Sequence, residues 1–178
     1  MTTSVSDLWD AIAFGAAEES PLWGDALLPN GERELDAVFS ALSENRFALG
    51  LETIYEGYLL HYGRPRLFAP RDADTRLLLG DYLYAHGLVR ISALGLARAV
   101  ADLGELIALC AQLRADGAEG DGEVWAATAA VLGTDGLAQA RAALRDEADP
   151  SALDALARGA AGGEAVDRAL AAHHRRLL

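Results

Sequence analysis

Short breaks rich in proline and glycine divide this chain into segments that all carry helix-forming residues. Alanine, leucine, glutamate and arginine dominate between the breaks, and these residues favour the α-helix. No segment alternates apolar and polar residues in the way that a half-buried strand does. The sequence therefore predicts an all-α fold. The predicted helices cover residues 5–19, 32–46, 48–62, 73–95, 97–116, 121–132, 134–146, 150–160 and 163–177.

The predicted helices differ in bulk along the chain. A length of 178 residues suits a single all-α domain that spans the chain. Residues 48–115 are expected to form long core helices, and residues 117–178 a loosely packed cap of short, Ala-rich helices. Segment 73–95 has leucines on several faces and is predicted to be a central buried helix. Gly80 and Gly87 form a seam on it that allows a neighbouring helix to approach closely.

The charge balance argues against nucleic acid and anionic lipid as partners. The formal net charge is −12, whereas neutralisation of phosphates requires clustered positive charge. No apolar run reaches the roughly 18 residues of a membrane-spanning helix, and no basic region precedes an apolar stretch at the N-terminus. The single cysteine, Cys110, excludes an internal disulfide and a cysteine-based zinc site. We expect a cytoplasmic protein with no membrane span, cofactor or bound metal.

The densest group of polar side chains lies in the stretch LLHYGRPRLF, residues 59–68. It contains a histidine and two arginines, Arg64 and Arg66, around a glycine and a proline. The planar guanidinium of arginine suits carboxylates and phosphates, so the arginines are candidates for pairing with Asp81, with Glu52 or with an external anion. The alternative is that they only tie a loop to helix ends.

Two glutamates and three histidines are the remaining candidates for a site. Glu52 and Glu56 share one face of a predicted helix, as in carboxylate-bridged metal sites, but a hydrogen-bonded face is the alternative. His61 lies five residues after Glu56 and does not complete the Glu-x-x-His pattern of such sites. A carboxylate–metal enzyme is therefore the least favoured class. His173 and His174 point in different directions, which favours positive side chains at a helix C-terminus over metal binding.

Residues 45–115 carry several motifs in a characteristic order. An apolar stretch from Ile54 to Leu60 ends at His61, and Gly63-Arg64-Pro65 follows. The next helix contains Leu79-Gly80-Asp81-Tyr82-Leu83, and ELIALCAQLRADG lies where a further helix would follow. This order of motifs resembles the one in the polyprenyl diphosphate synthases, which have the isoprenoid synthase fold. The resemblance implies a single-domain, isoprenoid-synthase-like helical bundle.

The chain departs from that family at the motifs that bind metal. In the family, an aspartate-rich loop after the first of these helices binds magnesium and the allylic diphosphate, whereas Tyr62 and Gly63 follow His61 here. No second Asp-Asp-x-x-Asp motif occurs downstream. A diphosphate leaving group needs a multivalent cation to offset its charge, so we expect no prenyl transfer by the isolated chain.

The resemblance to a shortened member of the family that lacks these motifs implies a non-catalytic subunit or scaffold, which binds another protein, rather than an enzyme. An apolar cavity for a prenyl chain or a quinone is the alternative function. A binding surface is predicted where Trp9, Phe14, Leu22 and Trp23 cluster, because large aromatic residues are enriched in interface cores. The other interpretation is that the two tryptophans seal the end of the bundle. Because the Ala-rich tail offers little bulk to cover the central helices, we expect a homo-oligomer or a hetero-complex.

Overall fold

The structure, a computed structural model, describes residues 5–177, and over these residues it confirms the all-α prediction. Its α-helices are α1 (Val5–Glu19), α2 (Pro21–Asp25), α3 (Ala48–Tyr62), α4 (Ala73–Ser92), α5 (Ala97–Asp116), α6 (Asp121–Ala130), α7 (Leu137–Glu147), α8 (Ser151–Ala161) and α9 (Gly163–Leu177). Single 3₁₀ turns cover Asn30–Glu32, Ser40–Leu42 and Asn45–Phe47. None of the helices in this part of the chain combines the length and hydropathy that crossing a membrane requires.

The segment before α3 forms no α-helix, so the helix predicted over residues 32–46 is wrong. Its backbone groups are bound by a buried side chain of α3 instead. The N–H groups of Val38 and Ser40 donate to the carboxylate of Glu52 at 3.3 and 3.2 Å. Because these bonds replace the bonds that a helix would make within itself, a tertiary contact overrides the helix propensity of the segment.

The central buried helix is α3 rather than α4, so the prediction for residues 73–95 is wrong in this respect. Every residue of α3 from Gly50 to Leu60 is buried, with α1, α4 and α9 packed around it. Helix α4 begins after Asp72, whose carboxylate accepts the backbone N–H of Thr75 at 2.7 Å and caps the helix. One face of α4 packs on α3, and the opposite face carries exposed leucine and valine side chains.

Glycines bring α3 and α4 into close antiparallel contact. A Cβ atom on Gly57 would lie 2.9 Å from the carbonyl oxygen of Gly80, and a Cβ atom on Gly50 would lie 2.5 Å from Cδ1 of Ile91. Gly87 likewise leaves no room for a Cβ atom. The close approach predicted for the seam on α4 is therefore confirmed.

Helix α6 belongs to the core, which differs from the loosely packed cap expected over residues 117–178. Val124, Trp125 and Ala127 are fully buried and pack in the same apolar cluster as α3 and α5. The ring of Trp125 stacks on Phe39 with their centroids 5.4 Å apart. Short alanine side chains allow helices to pack closely, so the low bulk of this region produces proximity between helices rather than looseness.

Candidate functional site

The loop between α3 and α4 is held by three buried charged side chains, Glu52, Glu56 and Arg66, which we name the Arg66 clamp. The Arg66 guanidinium donates from Nε to Glu56 Oε2 at 3.0 Å and from Nη1 to Glu52 Oε2 at 2.6 Å. All three side chains are at most 1% exposed. A buried charged group is stable only when it is paired and hydrogen-bonded, and the clamp meets this requirement.

The remaining oxygens of the clamp accept backbone N–H groups, Glu52 Oε1 from the segment before α3 and Glu56 Oε1 from the loop. Glu56 Oε1 accepts the N–H groups of Arg66 and Leu67 at 2.8 and 2.7 Å. The Arg66 guanidinium also lies 5.0 Å from the ring centroid of Tyr55. Burial by itself lowers the pKa of Arg66, but the carboxylates of Glu52 and Glu56 outweigh burial and raise the pKa above its ordinary value. The clamp therefore ties the loop to α3, which is the structural role considered for the arginines.

The other predicted ligand-binding residues, His61, Arg64 and Asp81, lie outside the clamp, at the end of α3, in the loop and on α4, and we call them the rim group. His61 Nε2 lies 3.2 Å from Asp81 Oδ1, although the two groups are not aligned for a hydrogen bond. The ring of His61 stacks on Tyr84, and its burial lowers its pKa against the opposing effect of Asp81. Arg64 is mostly exposed, and its Nη1 lies 3.2 Å from Glu34 Oε1. The structure thus separates the six candidates into a buried group of three and a rim group of three.

The predicted N-terminal interface residues divide in the same way. Trp9 is buried, and the guanidinium carbon of Arg66 lies 4.6 Å from the centroid of its ring. Trp23 is half-buried and packs against a tyrosine of α4. Phe14 and Leu22 are 50% and 45% exposed. Both tryptophans thus pack inside the bundle, and only Phe14 and Leu22 expose large apolar surfaces.

A second buried polar cluster, which the sequence analysis missed, joins α3, α5, α6 and α9. Its centre is Asp121, at the start of α6, whose Oδ2 accepts hydrogen bonds from Tyr58 and Arg114 and lies 3.1 Å from His173 Nε2. His173 Nδ1 lies 2.9 Å from the hydroxyl of Tyr55. A neutral imidazole satisfies both contacts when it donates from Nε2 to Asp121 and accepts from Tyr55.

The electrostatics of this cluster keep Asp121 ionised. Burial by itself raises the pKa of Asp121, but hydrogen bonds from His173, Tyr58 and Arg114 outweigh burial and hold the pKa well below its ordinary value of 3.8. Burial raises the pKa of Tyr58, and the charge of Asp121 raises it further. The cluster therefore contains one fixed negative charge surrounded by proton donors.

A cavity of about 420 Å³ lies against the cluster and is lined by Arg114, Asp121, His173 and His174 among others. Both ring nitrogens of His173 have partners, and Asp121 Oδ2 has three. With its donors and acceptors engaged in this way, the cluster serves to hold a buried carboxylate and to link four helices. In the described residues, no set of three or more His, Cys, Asp or Glu side chains is placed to hold a metal ion.

The position of His173 corrects its interpretation as a positive side chain at a helix C-terminus. It is buried on the inner face of α9 together with Val166 and Ala169, whereas His174 is exposed. These apolar residues precede His173 by seven and four positions, which is the spacing of a single helix face. That spacing could have indicated from the sequence that His173 is buried, but it does not identify the residues that His173 contacts.

We expect the Asp121→Asn substitution to destabilise the protein by about 2 kcal/mol at pH 7, because a buried, charge-assisted hydrogen-bond network is lost. Because the pKa of Asp121 is depressed in the folded state, the carboxylate stabilises the fold at pH values above its ordinary pKa of 3.8. This stability is lost progressively as the pH falls from 3.8 towards the folded-state pKa. Urea unfolding should therefore show that the difference in unfolding free energy between wild type and variant is smaller at pH 3 than at pH 7. Asp116→Asn, at the exposed end of α5, is the control, and parallel pH profiles for Asp121→Asn and wild type would contradict the assignment.

Comparison with known proteins adds no family to these observations: no family model matches the sequence, and neither the curated proteins nor the solved structures give a significant match.

Proposed function

We propose that this protein is a non-catalytic helical subunit that acts by association with another protein. The observation that carries the proposal is the outer face of α4, defined by Leu77, Leu78, Asp81, Ala85 and Val89. Leu77, Leu78 and Val89 are 54%, 53% and 63% exposed. Large apolar side chains that remain exposed together on a folded protein favour a contact with another chain.

The geometry of α4 places these residues on one continuous surface. At 100° per residue they fall within an arc of about 120°, and the 13 residues from Leu77 to Val89 extend over about 18 Å. Full burial of a leucine or valine side chain contributes about 1.5–3 kcal/mol relative to exposure. Three such residues on one helix face support a role as the apolar centre of an interface.

The charge of the chain favours a different protein over a second copy as the partner. Asp81 is exposed within the outer face of α4, and Asp74 is exposed about two helical turns before it. In a two-fold dimer the same surface meets itself, so these carboxylates would approach their own copies in a chain of net charge −12. A partner with apolar residues flanked by lysine or arginine fits this face better.

The isoprenoid-synthase-like bundle is part of this proposal. Its support is the antiparallel packing of α3 on α4 together with the motif order of residues 45–115, while the aspartate-rich motifs of that family are missing from the sequence. A cavity for a prenyl chain or a quinone has less support. The cavity next to Arg64 contains the guanidinium groups of Arg64, Arg76 and Arg176, and the cavity next to Asp121 contains several charged side chains, whereas sites for apolar ligands have only a few polar groups.

The proposal is tested by comparing two exposed surfaces of the protein. Tagged wild type, Leu78→Arg and Phe14→Arg are used to capture partners in the native host, and the captured protein is then purified and titrated against each form. We expect Leu78→Arg to weaken the affinity by about tenfold or more, since it places a cation in the apolar centre and opposes a basic partner. Phe14→Arg, on the N-terminal surface, should leave the affinity unchanged.

Other outcomes have definite meanings. Loss of binding in Phe14→Arg alone would place the interface at the N-terminal surface and contradict the assignment to α4. Equal affinity of all three forms would show that neither surface forms the interface. A wild-type dimer in light scattering that Leu78→Arg converts to a monomer would show a second copy as the partner and contradict the argument from charge.

A further inference from the structure

Arginines concentrate where the C-terminal ends of α3 and α9 meet. A cavity of about 480 Å³ there is lined by Arg64, Arg76 and Arg176, and an adjoining cavity of about 210 Å³ shares Arg64 and Arg176 and adds Arg175. The chain has 15 basic residues against 27 acidic ones. Glu34 and Asp36 line the smaller cavity as well, so four arginines meet two carboxylates across the two cavities, a local excess of positive charge that the overall charge does not predict.

A single carboxylate serves two of these arginines. Glu34 Oε1 lies 3.2 Å from Arg64 Nη1, and Glu34 Oε2 lies 2.9 Å from Arg176 Nη2. One positive charge of the pair is therefore not balanced by Glu34. The Arg176 side chain is only 7% exposed, and its buried Nη1 has no hydrogen-bond partner within the described residues. A buried guanidinium N–H without an acceptor is unfavourable, and Glu34 does not supply the acceptor that Nη1 of Arg176 needs.

The two chain segments that carry Arg64 and Arg176 are joined through the backbone. The N–H of Arg64 donates to the carbonyl oxygen of Arg176 at 2.9 Å, which joins the loop after α3 to the end of α9. Arg76 donates to the carbonyl oxygens of Leu60 and Gly63 and fixes the same loop from the other side. These contacts fix the backbone positions of Arg64 and Arg176 relative to each other, so a ligand would have to order only the Arg64 side chain.

We propose that Arg64 and Arg176 bind a phosphate group, either inorganic phosphate or the monoester of a small molecule, in the place now occupied by the Glu34 carboxylate. A phosphate offers at least three acceptor oxygens where a carboxylate offers two, so it can also satisfy Nη1 of Arg176. Its charge of about −1.5 to −2 at neutral pH offsets most of the charge of both guanidiniums. Glu34 is partly exposed, and its side chain can turn into solvent while its backbone stays in place.

This site is separate from the outer face of α4 and does not rest on the proposed association. Its test is calorimetric titration of the purified chain with inorganic phosphate, at an ionic strength matched with sodium chloride. Wild type should bind phosphate saturably, and Arg64→Gln should weaken binding by about tenfold because an exposed arginine is lost without disturbing the core. Arg98→Gln, which removes an exposed arginine paired with Asp135, should leave binding unchanged.

Glu34→Gln gives an effect of opposite sign. It removes the competing negative charge, so phosphate should bind severalfold more tightly, a result that damage to the fold would not produce. Titration with glycerol phosphate distinguishes the sources: tighter binding than phosphate indicates a monoester, and equal or weaker binding indicates the free anion. The proposal is overturned if wild type shows no saturable binding, if Arg64→Gln binds like wild type, or if Glu34→Gln binds more weakly.

Discussion

Replacement of Arg66 by methionine should destabilise the protein by about 3–5 kcal/mol, the cost of breaking a buried ion pair by removal of one partner. Glu52 and Glu56 would remain buried on the same face of α3 with no cation between them. The loop after α3 would also lose the side chain that packs between Trp9 and Tyr55. Equilibrium unfolding in urea measures the effect, as a large decrease in the midpoint.

Two further variants separate the clamp from a general effect of losing an arginine. Arg64→Met removes a side chain that is 65% exposed, and exposed ion pairs contribute about 0–1 kcal/mol, so the midpoint should change little. Combining Arg66→Met with Glu52→Gln and Glu56→Gln should recover part of the loss, because the uncompensated charges are removed as well. An Arg66→Met protein as stable as Arg64→Met would show that the clamp does not hold the loop.

The Leu79→Arg substitution should have an effect of similar size, with a loss of about 4 kcal/mol in the free energy of unfolding. Leu79 is completely buried in the cluster that Trp9, Leu60 and Leu83 form between α1, α3 and α4. An arginine there has no carboxylate partner among these residues, so the fold must either bury an unpaired charge or open to expose it. Thermal unfolding followed by circular dichroism provides the measurement.

The neighbouring position on α4 provides the matched control. Leu78 is 53% exposed, and Leu78→Arg places the same charge on the same helix in contact with water. Its melting temperature should stay close to that of wild type, because surface substitutions usually change stability by less than about 0.5 kcal/mol. Similar melting temperatures for the two variants would contradict the orientation of α4.

The sequence was sufficient to predict most of the helices because helix formation depends on local information. Helix propensity, the breaks at proline and glycine, and the i, i+4 hydrogen bonds all depend on residues that lie close together in the sequence. Helices α3, α5 and α9 therefore begin and end where the sequence places them. The prediction failed at residues 32–46, where the decisive partner, the Glu52 carboxylate, lies more than ten residues away and competes with the local signal.

The polar clusters show the same division. The sequence indicated that Glu52 and Glu56 share a face and that Arg66 could pair with Glu52, because both statements need only helix geometry and charge. The partners of His173 were out of reach, since Tyr55 is 118 residues away and Asp121 is 52 residues away. Helix periodicity places a side chain on the inner face of its own helix, but it does not identify which residues of other helices lie opposite.

What the sequence by itself determined is therefore the helical class, most of the helix boundaries and the close contact of the glycine seam. The tertiary structure decided which helix is central, which charged residues are buried and which apolar residues stay exposed. Leu78 and Leu79 are adjacent leucines on one helix, yet one is exposed and the other is fully buried. The physical reason is that burial depends on what packs against each face, and these contacts come from segments far apart in the chain.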